Sequence, residues 1–134
     1  MKSVLAISPL AIAAAAVRFV FTGLLLAAPD VAAAGDAKAG EAFFSHCAAC
    51  HSTSPGVNKI GPSLAGIVGS QSGAVPGFNF SPAMKNAKVT WDEKSLDRFL
   101  QNPNGFIAGT RMFFTVPKES DRQNVIAYLE TLKH

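Results

Sequence analysis

Five consecutive residues restrict the possible structure and chemistry of this chain more than any other part of its sequence: Cys47-Ala48-Ala49-Cys50-His51. They contain both of its cysteines, and a histidine follows the second cysteine directly. A disulfide between two cysteines this close would form a very small, strained ring, so a structural disulfide is not expected. Three kinds of site remain: a redox-active dithiol, a zinc site, or the attachment point of a larger cofactor.

The surrounding sequence favours the third kind. A thioredoxin-like dithiol is expected beside alternating strands and helices, and no alternating strand pattern is visible. A structural zinc ion needs a complete tetrahedral ligand set, for which only His46 and His134 could supplement the motif. Cys-x-x-Cys-His is instead the signature of covalent haem c attachment. Both thiols can then bind one porphyrin, with His51 as an axial iron ligand.

The first 34 residues differ from the rest of the chain. Apolar runs follow Lys2, and Ala32-Ala33-Ala34 resembles the small-residue pattern of a signal cleavage site. We expect a signal peptide over residues 1–34 and a mature domain over residues 35–134. A retained anchor is the alternative, although Arg18 divides the apolar region into pieces shorter than the ~20 residues of a typical span. Residues from Val17 onward resemble a complete signal alone, which would fit a later translation start.

The charge balance argues against nucleic-acid binding. The chain has 12 basic and 9 acidic residues, of which Lys2, Arg18 and Asp30 lie in the expected signal. The remaining net charge of +2 gives no strongly basic surface. No nucleic-acid partner is therefore expected.

An all-α domain is predicted. Apolar periodicity indicates three main helices, over residues 37–47, 91–101 and 121–133. Their predicted N-caps are Asp36, Thr90 in a capping box with Glu93, and Ser120 in a capping box with Gln123. Ser81 could cap a short turn of helix, and the Gly/Ser/Pro-rich stretch before it indicates an ordered loop. Such a small domain has a thin core, which suits a chain wrapped around a large apolar cofactor.

A second axial ligand must come from a distant part of the chain. Methionine and histidine are the usual candidates. Met84 and Met112 are the methionines of the expected mature domain. Spacing favours Met112, which follows the second predicted helix in a loop able to fold over the open haem face, and leaves Met84 as the alternative.

Beyond the motif, the chain resembles the class I cytochromes c, of the cytochrome c2 and mitochondrial cytochrome c type. The resemblance covers residues 35–134 and rests on segments in family order: CAACH, KIGPSLAGIVG, VPGFNFSPAMKN, VTW, FLQNP, FIAGTRMFF and VIAYL. It implies the cytochrome c fold, in which three main helices, short helices and ordered loops wrap around one covalently attached haem c.

The resemblance also implies roles for single residues. Met112 lies in the segment that matches the family's methionine-ligand loop. The Pro62 carbonyl should accept a hydrogen bond from the His51 ring, and Trp91 should pack beside the haem and reach a propionate. Gly40 should let the first helix cross the last, where Phe44 meets Tyr128 and Leu129.

The chain departs from the family at several pocket positions. Phe80 and Met84 stand where the family usually has tyrosine and asparagine, Ser70 replaces an arginine, and Phe99 replaces a tyrosine. We therefore expect a drier pocket with fewer hydrogen bonds. Lysines common at the positions of Asn104 and Gly105 are missing. The remaining candidate docking charges are Lys59, Lys85, Lys88, Arg111 and Lys118.

These features imply a soluble periplasmic electron carrier, exported by a bacterium, that shuttles single electrons from a quinol-oxidising bc1-type complex to a terminal oxidase, reaction centre or other acceptor. We expect a monomer that contacts the membrane only through its partners. A haem peroxidase and a haem-based gas or redox sensor are the alternatives. A peroxidase needs an open iron position, which Met112 should close, so no enzymatic activity is expected. A sensor would normally be joined to an output domain, for which about 100 residues leave no room.

Overall fold

The computed structural model describes residues 34–132. The expected signal peptide falls almost wholly outside these residues. The described part contains five α-helices: α1 Ala37–Phe43, α2 Pro82–Asn86, α3 Glu93–Gln101, α4 Pro103–Phe106 and α5 Glu119–Thr131. A 3-10 turn, Phe44–His46, extends α1, and the only extended pairing in these residues is a single bridge between Gln71 and Thr90. The predicted all-α class is confirmed.

The observed N-caps agree only in part with those predicted from the sequence. Asp36 caps α1 by accepting hydrogen bonds from the Lys38 and Ala39 amides at 2.9 and 3.3 Å. Ser81 caps α2, also as predicted. The predicted capping box of Thr90 with Glu93 is wrong, because the box is formed by Asp92 and Ser95.

The predicted cap of the last helix is also wrong. Ser120 lies inside α5, which begins at Glu119 with Lys118 as a cap residue that makes no side-chain hydrogen bond. The helix starts two residues earlier than periodicity indicated and ends at Thr131.

Helices α1 and α5 cross at a glycine, as the family resemblance implied. A Cβ atom at Gly40 would overlap the backbone carbonyl of Asn124 and lie 2.9 Å from the Cβ of Tyr128. The rings of Phe44 and Tyr128 pack 5.3 Å apart beside this crossing. Only a residue without a side chain permits so close an approach of the two backbones.

Helices α3 and α5 supply half of the buried apolar core of the described residues. Their inward faces are buried and pack against Val116 in the preceding segment; the helical residues are Leu96, Phe99, Leu100, Val125, Ile126 and Leu129. Several of these side chains also form one wall of a large cavity. Within residues 34–132, every helix is too short or too polar to cross a membrane.

Candidate haem site

A cavity of about 540 Å³ lies between the core helices and the loops. This volume falls within the ~300–1,000 Å³ typical of small-molecule and cofactor sites. All six predicted site residues line it: Cys47, Cys50, His51, Pro62, Trp91 and Met112. The fold thus brings together residues that are up to 65 positions apart in the sequence.

The Cys47–His51 segment is held as one tight turn. The Cys50 and His51 amides donate hydrogen bonds to the Cys47 carbonyl at 3.0 and 2.9 Å. The Gly61 amide donates to the Cys50 carbonyl at 2.8 Å, which fixes the turn against the next segment. Both sulfur atoms and the imidazole therefore reach the same cavity from one short stretch of backbone.

The His51 ring is oriented by a single hydrogen bond. Its Nδ1 lies 2.8 Å from the Pro62 carbonyl oxygen. A carbonyl can only accept, so Nδ1 carries the proton and, in the neutral ring, Nε2 keeps a free lone pair. Burial lowers the pKa of His51, with a smaller lowering from the nearby Lys59 charge and an opposing effect of the Pro62 hydrogen bond. This environment favours the neutral ring that can bind a metal.

Gly61 makes room for this ring, a role that was not predicted from the sequence. A Cβ atom there would lie 2.7 Å from Nδ1 and 2.9 Å from Nε2 of His51. The only sequence signal is its place directly before Pro62. The position needs a glycine because the imidazole packs against the backbone.

The surroundings of Cys47 do not favour a reactive dithiol centre. Burial, followed by the effect of Cys50, raises the pKa of the Cys47 thiol to about 11. A redox-active cysteine needs a lowered pKa, since the thiolate is the nucleophile. Among residues 34–132, no group of three or more His, Cys, Asp or Glu side chains is placed to hold a metal. His134, a candidate ligand for the zinc alternative, lies outside these residues.

Both methionines of the domain line the cavity. Met84 is buried in α2, whereas Met112 is half-buried in the segment between α4 and α5. The Met112 amide lies 3.4 Å from the Thr110 hydroxyl, and the neighbouring Arg111 side chain donates to the Asn79 carbonyl at 3.1 Å. The choice of Met112 as ligand stays a prediction.

Trp91 forms part of the cavity wall. It is buried, its ring lies 5.0 Å from that of Phe99, and its backbone pairs with Ser70 and Gly69. The Ser70 hydroxyl donates to the Ile67 carbonyl at 2.7 Å and does not line the cavity. Phe80, Met84 and Phe99 do line it and bring no hydroxyl or amide there.

The residues present fit a covalently attached haem. Two thiols, a neutral imidazole with a free nitrogen and a thioether all face one mainly apolar space. Those are the groups that bind haem c and its iron in proteins of the cytochrome type.

Comparisons with known proteins agree with this site. Residues 37–133 match the family Cytochrome c. The chain is 46% identical over 101 residues to a cytochrome c from Euglena viridis, covering 74% of this chain and 99% of that protein. It is also 46% identical over 101 residues to a cytochrome c2 from Rhodomicrobium vannielii, covering 74% and 81%. The solved structure of cytochrome c2 from Rhodospirillum centenum superposes with a TM-score of 0.71 at 33% identity, covering 75% of this chain and all of that one.

These matches span nearly the whole predicted domain and confirm the resemblance to class I cytochromes c. They also support one covalently attached haem c, independently of the Cys-x-x-Cys-His motif. The chain therefore belongs to the cytochrome c family, and it is a mono-haem electron carrier with covalently attached haem c.

Proposed function

We propose that this protein is a soluble periplasmic carrier that holds its haem iron between His51 and Met112. In this proposal it shuttles single electrons from a quinol-oxidising bc1-type complex to a terminal oxidase, reaction centre or other acceptor. Residues 1–34 are a cleaved export signal, and residues 35–134 act as a monomer that meets the membrane only through its partners. The cytochrome c2 relatives support this bacterial electron-transfer role.

The observation that carries the proposal is the His51–Pro62 hydrogen bond at 2.8 Å in a cavity that Met112 also lines. A carbonyl partner on Nδ1 fixes the tautomer and the ring orientation of a metal-binding histidine and increases its donor strength. A ring held in this way, with Nε2 free, is suited to bind iron permanently.

When bound, haem c supplies a one-electron Fe(III)/Fe(II) couple. Cys47 and Cys50 would hold it covalently, and His51 and Met112 would bind its iron. Thioether ligation and an apolar lining favour the less charged ferrous state. Two fixed protein ligands also keep the site from rearranging between oxidation states. Trp91 would pack beside the haem and support a propionate.

The proposed partners are redox proteins that dock at the mouth of this cavity. Ile60 and Phe113 line the cavity yet are 81% and 77% exposed, so the cavity presents apolar side chains to solvent. Three exposed basic residues are candidates for docking. Arg111 lines the cavity, and Lys59 and Lys85 directly adjoin the lining residues Ile60 and Met84 in the sequence. Basic charges steer an acidic partner, and a small apolar contact gives a short-lived complex that permits turnover.

An absorption spectrum of the purified protein tests the ligand assignment. Sharp bands in the reduced form are expected for low-spin haem c, with a weak far-red band from sulfur–iron bonding in the oxidised form. Carbon monoxide should bind slowly, if at all, to the reduced protein at neutral pH. Rapid binding would instead favour a peroxidase or a sensor with an open iron position.

Export is tested separately by sequencing the N-terminus of the protein from a periplasmic fraction. The proposal expects Gly35 as its first residue. An intact leader on membrane-bound protein would instead show a retained anchor.

A further inference from the structure

We infer that Arg122 is a positioning residue for Met112, and that it acts by fixing the end of the segment that carries this methionine. The inference rests on the proposed function, in which Met112 binds iron. Arg122 lies in the first turns of α5 and is only 5% exposed. Buried arginines are rare unless their charge and donors are satisfied, so its contacts point to a specific role.

The guanidinium of Arg122 connects three parts of the domain. Its Nε donates to Asp97 Oδ1 of α3 at 2.7 Å. Its Nη1 donates to the carbonyls of Val116 and Pro117 at 3.0 and 2.8 Å. These two residues end the segment after Met112, directly before α5. Asp97 thus holds the guanidinium where it can bind the end of this segment.

Arg122 also fixes the chain that enters α5, although its guanidinium only donates hydrogen bonds and so does not act as an N-cap for the first helical amides. The cap residue Lys118 makes no side-chain hydrogen bond, so the start of α5 is not fixed in the usual way. Within residues 34–132, the Lys118 side chain makes a 3.5 Å ion pair with Asp121 at the surface, which contributes little. The buried guanidinium instead ties the residues before the helix to its first turns.

The Met112 segment depends on its two ends. Within residues 34–132, positions 112–115 make no backbone–backbone hydrogen bond. The segment is fixed at its start by the Arg111 contact to Asn79, and at its end by the Val116 amide, which donates to the Leu100 carbonyl at 2.8 Å, and by Arg122. Four residues span at most about 14 Å when extended, so loosening the end gives Met112 freedom to leave its position.

Binding of free imidazole to the ferric, haem-loaded protein tests this inference. Imidazole can bind iron only when Met112 has moved away, so its apparent affinity reports the population of the open segment. The variants are Asp97→Asn, which keeps the shape and an acceptor but removes the charge, and Arg122→Lys, which keeps the charge but loses the planar fork. Asp36→Ala is the matched control, because it removes the cap of α1 without touching the segment. Guanidinium unfolding of each variant gives its global stability.

We expect Asp97→Asn and Arg122→Lys to bind imidazole about fivefold to tenfold more tightly than the parent protein. Asp36→Ala should bind within about twofold of the parent despite its lower global stability. Equal affinities in all these proteins, or the same gain in the control, would overturn the inference. If Arg122→Lys does not accumulate, Asp97→Asn decides alone.

A fourth variant separates this inference from the proposed function. Met112→Ala should bind imidazole more tightly than any other variant, because it removes the competing ligand. If it binds like the parent, Met112 is not the ligand and the proposed function is wrong. If it binds more tightly while the Asp97 and Arg122 variants do not, only the positioning role of Arg122 is refuted.

Discussion

Replacing Gly61 by alanine is expected to move His51 away from the Pro62 carbonyl. The added Cβ would lie 2.7 and 2.9 Å from the two ring nitrogens. The ring carbon Cε1 would be closer still. Non-bonded carbon atoms prefer ~3.5–4.0 Å, so the ring and the backbone must separate by at least roughly 0.8 Å. Taken along the Nδ1–carbonyl direction, that movement lengthens a 2.8 Å hydrogen bond past the usual limit of about 3.2 Å.

The expected loss of stability follows from two opposing effects. Gly61 does not have a positive φ, so alanine alone would stabilise the protein by ~0.4–1 kcal/mol through the unfolded chain. Overpacking against a ring with little room costs about 1–3 kcal/mol. We therefore expect a net loss of roughly 1–2 kcal/mol in the free energy of unfolding. A destabilised variant would show that the contact with His51 outweighs the backbone effect.

The reduction potential gives a second and more specific measurement. A His51 ring that loses its carbonyl partner is a weaker donor, so it stabilises the ferric state less. The potential should rise by on the order of tens of millivolts, where a tenfold change in a one-electron equilibrium is about 59 mV. Voltammetry measures this potential, and guanidinium unfolding of the haem-loaded protein measures stability.

Gly105→Ala serves as the control for Gly61→Ala. Its added Cβ would meet the exposed Asn102 side chain, far from His51 in the sequence and outside the cavity lining. It should change stability without changing the potential. If Gly61→Ala leaves both quantities at the parent values, His51 is not packed against Gly61 as described and the reasoning fails.

Three further predictions concern the ligands and one helix cap. Met112→Ala should abolish the far-red band of the oxidised protein and lower the potential, whereas Met84→Leu, a volume-conserving change, should keep both; the reverse result would make Met84 the ligand. Cys47→Ala should leave at most one thioether bond and reduce the yield of haem-loaded protein, so a normal yield with a two-thioether spectrum would contradict the attachment role. Hydrogen bonds from Ser95 lower the pKa of Asp92, so its stabilising contribution exists above the unfolded pKa and is lost as pH falls through the lower folded value. Acid unfolding of Asp92→Asn should therefore show a weaker pH dependence than that of the parent, and identical profiles would refute the assignment.

The haem motif was predictable from sequence because its information is local. Five consecutive residues define the attachment chemistry, and a turn places their side chains together without distant contacts. The same holds for Asp36 and Ser81, whose caps act within their own helices. Local patterns therefore predicted two of the helix starts and a motif whose residues share one turn.

The wrong cap predictions show that contacts with distant parts of the chain can override a local capping pattern. Thr90 could have capped α3 by its chemistry, but it forms a bridge with Gln71, and the Trp91 amide donates to the Ser70 carbonyl at 2.8 Å. These contacts keep residues 90–91 extended, so the helix begins after Asp92. The Arg122–Asp97 pair, 25 residues apart, has no pattern in the sequence that would reveal it.

The two proposed axial ligands are held in different ways, and this difference predicts how each will fail. His51 is fixed by immediate contacts, with the Pro62 carbonyl on one nitrogen and the Gly61 backbone against the ring. Met112 lies in a segment that depends on contacts at its ends, the last of which is made by Arg122. A change beside His51 should therefore alter the donor strength and the potential while the ligand stays bound. A change at Arg122 should instead alter how often Met112 is displaced, because the contacts it removes hold the chain and not the sulfur itself.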